Sequence, residues 1–176
     1  ILARFPLKFH YFMGDVLAWI LKNVFRYRYS VVLTNISRSF PDSGYKMPVQ
    51  TAKAFYKHLG ELFAESIWFG SSGHKRVKRS GIVRFTNAEV LIDYFQKSPS
   101  VTVLSTHCGN WELLGGVFAY LDNTGLECPF TQENMRVVYK KLSSEISDEI
   151  FKRNRISPLG KGREECVIES SNILRY

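Results

Sequence analysis

Residues 101–116, VTVLSTHCGNWELLGG, decide the fold expected for this chain, because an apolar run leads directly into a glycine corner and an apolar helix. The run Val101–Thr106 has the length and composition of a buried parallel strand. Gly109 and Asn110 mark the corner, and the pattern predicts a helix over 110–121. Because α/β sheets bind ligands at the carboxyl ends of their strands, this corner is where we expect a site.

His107 and Glu112 flank the corner, five residues apart. On one continuous helix the two side chains would diverge by roughly 140°, but across a corner they can meet. The carboxylate would hold one imidazole nitrogen in a fixed tautomer, which leaves the other nitrogen basic and able to deprotonate a hydroxyl. Trp111 beside the pair would help to exclude water. A general-base site is therefore predicted, although a histidine in a loop is more often structural than catalytic.

Two other chemistries are disfavoured at the same corner. Cys108 neighbours His107 in sequence, so the two side chains point in opposite directions at a strand end and a Cys–His nucleophile is not expected. A metal would need a third ligand, whereas His58 and His74 fall on a predicted helix and in a basic loop. HExxH, GxSxG, P-loop and GxGxxG patterns are also absent from the sequence.

The rest of the C-terminal part alternates between predicted strands and helices, the pattern of a layered sheet flanked by helices in an α/β domain. Further strands are predicted at Ile82–Phe85, Met135–Tyr139 and Ile156–Leu159. Further helices are predicted from a Thr86–Glu89 capping box to about Lys97, over Leu142–Arg155 and over Arg163–Tyr176.

Residues 5–25 form the most apolar stretch and have helical periodicity, so they predict an N-terminal hydrophobic helix. Charged residues interrupt the stretch, whereas a membrane span needs about 20 predominantly apolar residues. A buried core helix, a helix lying at a membrane surface and a membrane span all remain open, and the neighbouring Trp19, Lys22 and Arg26 are typical of the second. We predict a membrane-associating segment over 1–30 and the α/β domain over 31–176.

A second amphipathic helix is predicted over 48–69, and the basic segment GSSGHKRVKRSG follows at 70–81. Such a cluster is most often a solvated loop, but it can also contact phosphate or an acidic partner. The net charge of +8 indicates an anionic partner without choosing among nucleic acid, anionic lipid and an acidic carrier protein. Three scattered cysteines without a CxxC pair favour a reducing, cytoplasmic-side compartment.

The hexapeptide HCGNWE at 107–112 resembles the His-x4-Asp/Glu motif, in its specific form His-x-Gly-Asn-Trp-Glu, of the bacterial lipid A biosynthesis acyltransferases. These late lauroyl and myristoyl transferases belong to the lysophospholipid and glycerolipid acyltransferase superfamily. Further segments resemble the same family: RYSVVLTNISRSFP at 28–41, FYKHLGELFAESI at 55–67, VRFTNAEVL at 83–91 and VVYKKL at 137–142. Members of the family continue beyond the point where this chain stops, within a predicted helix at Tyr176, so we expect a C-terminally truncated fragment.

The resemblance implies transfer of a fatty acyl chain from acyl carrier protein to a hydroxyl of a phosphorylated glycolipid, a lipid A precursor. The reaction would take place at the cytoplasmic face of the inner membrane, among inner-membrane lipids, with no metal, no other cofactor and no nucleic acid. His107 is implied as the general base and Glu112 as its orienting carboxylate. The implied substrate-binding residues are Asn110, Lys140, Arg153 and Arg155.

Two alternatives to this function remain open from the sequence. One is an acyltransferase that acts on another glycolipid or on a lysophospholipid. The other is a non-catalytic module that uses the charge of +8 to bind lipid or nucleic acid. The aromatic residues lie mostly in apolar periodic stretches rather than in the basic segment, a placement that is poor for stacking on bases.

Overall fold

The computed structural model describes residues 5–106, 108–127, 134–145, 148–149, 152 and 167–171. The chain divides into two compact units, residues 1–68 and 69–176. The described residues are mainly helical, with one two-stranded parallel sheet. The elements are α1 (Leu7–Asn23), α2 (Tyr29–Ser39), α3 (Lys46–Gly70), α4 (His74–Ser80), α5 (Ala88–Lys97), a 3-10 helix (Trp111–Gly116), α6 (Val117–Leu121), β1 (Val137–Tyr139) and β2 (Val167–Glu169).

In the first unit, α1 and α3 meet through glycine and alanine. A Cβ atom placed on Gly14 would lie 2.5 Å from the carbonyl oxygen of Gly60, and one placed on Gly60 would collide with the carbonyl of Gly14. Ala18 and Ala64 flank this point. Residues four apart share one face of a helix, and His10, Gly14 and Ala18 are the buried residues of α1. Glycine is therefore required here because the two backbones touch.

Two tyrosines link other parts of the same unit. The hydroxyl of Tyr11 on α1 donates a hydrogen bond of 2.7 Å to the Glu65 carboxylate on α3. Burial, together with the Glu65 carboxylate, raises the pKa of Tyr11 well above its ordinary value. The hydroxyl of Tyr56, which is buried on α3, donates to the backbone carbonyl of Tyr27 at 2.5 Å. The helix α3 thus contacts the chain on both sides of the bend that follows α1.

The opposite face of α1 is apolar and exposed. Phe12 and Trp19 are 62% and 61% exposed, and Val16 lies between them at helical spacing. The predicted helix over residues 5–25 is confirmed, and it has a buried face and an exposed apolar face. Among the helices of the described residues, none is both long enough and apolar enough to cross a bilayer.

In the second unit, α4 packs against α6, and α6 contacts the 3-10 helix that precedes it. Ala88 at the start of α5 and Leu121 at the end of α6 are both buried and form the centre of an apolar cluster. The partly buried side chains around them are Phe85, Leu91, Phe95, Val117, Phe118 and Met135. The parallel pairing of β1 with β2 runs from Val137 opposite Val167 to Tyr139 opposite Glu169.

The longer helix predictions are confirmed, with shifted boundaries. The helix predicted over 48–69 is α3, and the helix predicted to end near Lys97 is α5. The capping box is wrong: Asn87 rather than Thr86 is the N-cap, and no side-chain hydrogen bond caps the helix. The basic segment is not simply a loop, because its central seven residues form α4. The helix predicted over 110–121 is a 3-10 helix followed by a short α-helix.

The strand predictions mostly fail. Ile82 and Val83 form bends, and Arg84 and Phe85 are irregular. Val101–Thr106 is also irregular and largely exposed, with Leu104 at 90%. An isolated apolar run has strand propensity, but a strand also needs a neighbour that accepts and donates its backbone hydrogen bonds. Within the described part of the chain only β1 and β2 pair with each other. The layered α/β sheet is therefore not confirmed.

Two predictions near the C-terminus have different outcomes. The strand predicted at Met135–Tyr139 is confirmed as β1. The helix predicted over Arg163–Tyr176 is wrong at Val167–Glu169, where the buried β-branched side chains of Val167 and Ile168 lie in β2. Of the helix predicted over Leu142–Arg155, the residues 145, 148, 149 and 152 are helical. The strand predicted at Ile156–Leu159 lies outside the described residues.

Candidate active site

The predicted corner before the 3-10 helix is present in the structure. Gly109 has a φ of +66°, in the left-handed region that glycine adopts without strain. Among the described residues other than its two chain neighbours, no heavy atom lies within 4 Å of the position that a Cβ on Gly109 would occupy. Asn110 follows with φ −100° and ψ 82°, and the 3-10 helix begins at Trp111. Glycine is thus needed at the corner for its backbone conformation and not for space.

Glu112 lies in the first turn of the 3-10 helix. The backbone N–H groups of a first helical turn have no partner within the helix and carry partial positive charge, which favours a carboxylate there. Leu113 and Gly116 are buried, and their spacing of three matches the three-residue repeat of this helix. Glu112 itself is half-buried. The predicted place of Glu112 at a helix start is confirmed.

The aromatic ring of Tyr120 holds the end of the 3-10 helix in place. A Cβ on Gly116 would lie 2.8 Å from the Tyr120 ring and hydroxyl, so the ring packs directly on the Gly116 backbone. Phe85, in the segment before α5, packs edge-on against the same ring at 6.4 Å between centroids. The turn that carries Glu112 is therefore supported by α6 and by the segment 82–85.

His107 lies outside the described residues, so the predicted pairing of its imidazole with Glu112 stays a prediction. The neighbouring Cys108 is exposed. The segment before His107 is not a strand, and the prediction that His107 follows a buried strand is therefore wrong for Val101–Thr106. What the structure retains of the predicted site is the glycine corner and the helix start.

The predicted substrate-binding residues lie on separate elements. Asn110 belongs to the corner, two residues before Glu112. Lys140 is exposed and directly follows β1, at the carboxyl end of the parallel pair. Ligands of parallel sheets bind at such strand ends, so this position is compatible with a contact to substrate. Arg153 and Arg155 lie outside the described residues.

A cavity of about 210 Å³ lies in the first unit at the turn between α2 and α3, and a larger one of about 460 Å³ lies in the second unit, between the segment 81–89 and the end of α6. The second falls within the range of roughly 300–1,000 Å³ that small-molecule sites occupy. Phe85, Tyr120 and Leu126 form the apolar part of its lining, while Arg84 and Asn123 contribute polar groups.

Among the described residues, no three His, Cys, Asp or Glu side chains are grouped so that they could hold a metal ion.

A charged cluster that the sequence did not reveal joins α4 to the end of α6. One Asp122 carboxylate oxygen lies 3.0 Å from His74 Nε2 and 3.2 Å from Lys78 Nζ. The hydrogen bond with His74, followed by that of Lys78, holds the pKa of Asp122 below its ordinary value despite partial burial. The side chain of Asn123 donates to the backbone carbonyl of Lys78 at 2.9 Å.

A signal for this short helix does exist in the sequence. Val77 is a single apolar residue among cations, and glycines at 73 and 81 bound the segment. Gly81 has a φ of +62°, the left-handed conformation common directly after a helix. The pairing with Asp122, 44 residues beyond Lys78, has no signal of this local kind.

Comparison with known proteins identifies the class of the molecule as an acyltransferase. A family model described as "Bacterial lipid A biosynthesis acyltransferase" matches residues 1–145 of the 176. The chain belongs to the bacterial lipid A biosynthesis acyltransferase family. The resemblance to this family is thereby confirmed, and membership implies an acyl donor and a lipid A precursor as acceptor. The comparisons with curated proteins and with solved structures found no match.

The matched range separates the predicted site residues into two groups. It includes the motif at 107–112 and Lys140. Arg153 and Arg155 lie beyond its end at residue 145. The roles of these two arginines therefore depend on the sequence resemblance alone.

Proposed function

We propose that the protein transfers a fatty acyl chain from acyl carrier protein to a hydroxyl of a lipid A precursor, with His107 as general base and Glu112 as its partner. The observation that carries the proposal is the corner at Gly109, from which Glu112 enters the first turn of a helix within the family's specific motif. Family membership supports the reaction class.

The proposed chemistry needs only a base and a polarised carbonyl. The His107 imidazole takes the proton of the acceptor hydroxyl as its oxygen attacks the thioester carbonyl, and Glu112 stabilises the imidazolium that forms. Collapse of the tetrahedral intermediate forms the ester and breaks the carbon–sulfur bond. The departing thiolate takes the proton back from the imidazolium. No metal or nucleotide enters this scheme.

The remaining predicted residues would bind the substrates in this proposal. Asn110 contributes a polar group beside Glu112. Lys140, at the end of β1, would contact a phosphate of the acceptor or the oxyanion of the intermediate. Arg153 or Arg155 would contact a phosphate as well, since a guanidinium binds phosphate through two parallel hydrogen bonds.

The proposed location is the cytoplasmic face of the inner membrane. The exposed apolar face of α1, formed by Phe12, Val16 and Trp19, supports contact with a lipid surface. Lys22 and Arg26 follow on the same stretch, and cations next to exposed aromatic side chains are typical of membrane boundaries. The acceptor lipid would reach the protein from the bilayer, and the carrier protein would reach it from the water.

Substitution in the motif of the full-length protein tests the mechanism. We expect His107→Ala and Glu112→Ala to lower turnover by roughly 10²–10⁴-fold, the usual contribution of general acid–base catalysis. The matched control is Cys108→Ala in the same corner, which should retain activity because Cys108 is exposed and has no role in the scheme. Transfer from radiolabelled acyl carrier protein to a purified lipid A precursor is the measurement.

The same assay separates the alternatives. Turnover within a few-fold of the parent protein for both motif variants would contradict the assigned mechanism. Efficient transfer to a lysophospholipid with none to the lipid A precursor would contradict the proposed acceptor. Salt-dependent binding to RNA without any acyl transfer would favour the nucleic-acid-binding alternative.

A further inference from the structure

Helix α4 presents two cations that have no ionic partner among the described residues. Lys75 and Arg79 are exposed, and no ion pair of the described part of the chain involves either of them. Each lies two residues from Val77, the buried residue of this helix, and two residues correspond to roughly 200° around a helix axis. Lys75 and Arg79, called here the α4 cation pair, therefore lie together on the face that points away from the core.

Two other basic residues of the same helix already have a partner. His74 and Lys78, one residue before each member of the pair, share the Asp122 carboxylate at 3.0 and 3.2 Å. This contact fixes the rotation of α4 on α6 and neutralises part of the charge of the helix. Like charges four residues apart on a helix repel each other by a few tenths of a kcal/mol. An anion bound to both members would remove this repulsion.

We infer that the α4 cation pair is the docking surface for the acidic acyl carrier protein, which is the donor in the proposed function on which this inference rests. Opposite charges across an interface accelerate association and select the partner. Because α4 packs against α6, and α6 directly continues the 3-10 helix of Glu112, the pair and Glu112 belong to one packed unit. A carrier bound there docks on the same packed unit that contains Glu112.

The surroundings of the pair favour a protein over a membrane as the partner. Val77 is the one apolar residue of α4, and it is fully buried, so this surface has no apolar side chain to insert into a bilayer. The cations that follow α1 are different, because Trp19, Phe25 and Tyr27 lie exposed among them. Membrane-surface helices combine both kinds of residue, whereas the α4 surface has only the charges.

Charge reversal in the full-length protein tests the inference. We expect Lys75→Glu together with Arg79→Glu to raise the KM for acyl carrier protein by roughly ten- to a hundredfold at low salt, with kcat unchanged. Transfer from the corresponding acyl-pantetheine, a thioester without the protein, should not change. The matched control is Lys46→Glu with Lys53→Glu on α3, which alters the net charge equally and should leave the KM within about twofold.

Direct binding of holo acyl carrier protein to the parent protein and to both double variants is measured alongside. A KM and a binding constant that are unchanged by the α4 substitutions would overturn the inference, and so would lost binding to phosphatidylglycerol vesicles with an unchanged KM. If the α4 substitutions lowered the rate of transfer equally from acyl carrier protein and from acyl-pantetheine, that result would also count against the inference. If the parent protein binds the carrier through the pair but transfers no acyl chain from it, the docking surface stands and the proposed function fails.

Discussion

The α1–α3 contact of the first unit and the α4–α6 contact of the second unit hold helices together by different means. In the first, the backbones of Gly14 and Gly60 touch, and the bulky apolar side chains of α1 point outward. In the second, an Asp122 carboxylate joins His74 and Lys78 at the surface of the unit. The first contact depends on close backbone packing, whereas the second adds a charged contact at the surface to the burial of Val77.

This difference determines what each region offers to a partner. Close backbone packing uses small residues, so the large apolar side chains of α1 remain available to a lipid surface. The Asp122 carboxylate binds His74 and Lys78 of α4, while Lys75 and Arg79 have no ion pair among the described residues and remain available to an acidic protein. It also means that salt should weaken the second contact and hardly affect the glycine contact.

The largest effect is expected at the glycine contact. In Gly60→Ala the new methyl group would collide with the backbone carbonyl of Gly14, which cannot move without the rest of α1. Overpacking of this kind costs about 1–3 kcal/mol or more of unfolding free energy, and we expect the loss to be the same at low and high salt. Urea unfolding followed by circular dichroism measures it.

Gly44→Ala is the matched control, because within the part of the chain that the structure describes nothing beyond its chain neighbours lies within 4 Å of the position of its Cβ. It should leave the unfolding free energy unchanged or slightly raised. If Gly60→Ala were as stable as this control, the glycine contact would not hold α1 to α3. The first of the two contacts would then not depend on close backbone packing.

A smaller effect is expected from Tyr11→Phe, which removes the hydrogen bond to Glu65. The loss should be about 1–2 kcal/mol at neutral pH, since a hydrogen bond to a charged acceptor contributes more than a neutral one. The raised pKa of Tyr11 adds a pH dependence. Above about pH 10 the unfolded chain loses this proton while the folded chain keeps it, so stability falls as pH rises.

Tyr11→Phe should therefore remove part of the alkaline loss of stability. Unfolding free energies of parent and variant at pH 7 and pH 10.5 measure it, and Tyr45→Phe is the control at a side chain that is 87% exposed. If the unfolding free energy fell equally between pH 7 and pH 10.5 in the parent and in Tyr11→Phe, the Tyr11 proton would not be linked to folding.

The smallest effect is expected from Asp122→Asn, because exposed ion pairs contribute only about 0–1 kcal/mol each. The contribution should vanish in 1 M salt, unlike the loss in Gly60→Ala. The lowered pKa of Asp122 means that its stabilisation is present above the ordinary carboxyl pKa. It is lost as pH falls below about 4, through the lowered pKa of the folded state.

Unfolding free energies at two salt concentrations, at pH 7 and at pH 3, measure this contribution. Glu127→Gln, at another exposed carboxylate near the end of α6, is the control and should show no such salt dependence. A salt-independent loss in Asp122→Asn would mean that the second contact also depends on shape, and the distinction between the two contacts would disappear.

The sequence predicted the helices better than the strands, for a physical reason. The periodicity that identifies α3 and α5 comes from one segment and its own hydrogen bonds, so it can be read locally. A strand depends on a partner elsewhere in the chain, and Val101–Thr106 has the composition of a strand without a paired neighbour. Val167–Glu169 shows the reverse, since a helical pattern was expected where β2 pairs with β1.

The corner of the candidate site could be predicted because its determinants are local. Gly109 supplies the left-handed conformation, and Glu112 follows at the helix start within three residues. The cluster of Asp122 with His74 and Lys78 could not be predicted, since Asp122 lies more than 40 residues from both partners and outside any basic motif. The family match confirms that the chain belongs to the family, while the role of the motif and the pairing of His107 with Glu112 stay predictions.

The glycine contact has a consequence for the order of folding during synthesis. Gly60 follows Gly14 by 46 residues, so α1 leaves the ribosome well before its partner surface on α3 exists. Contacts so distant in sequence form late, and domains fold as the chain emerges from its N-terminus. In that interval the nascent α1 has both faces uncovered, the small-residue face as well as the aromatic one. This helix is then most open to capture by a chaperone or by a lipid surface, and completion of α3 ends the interval.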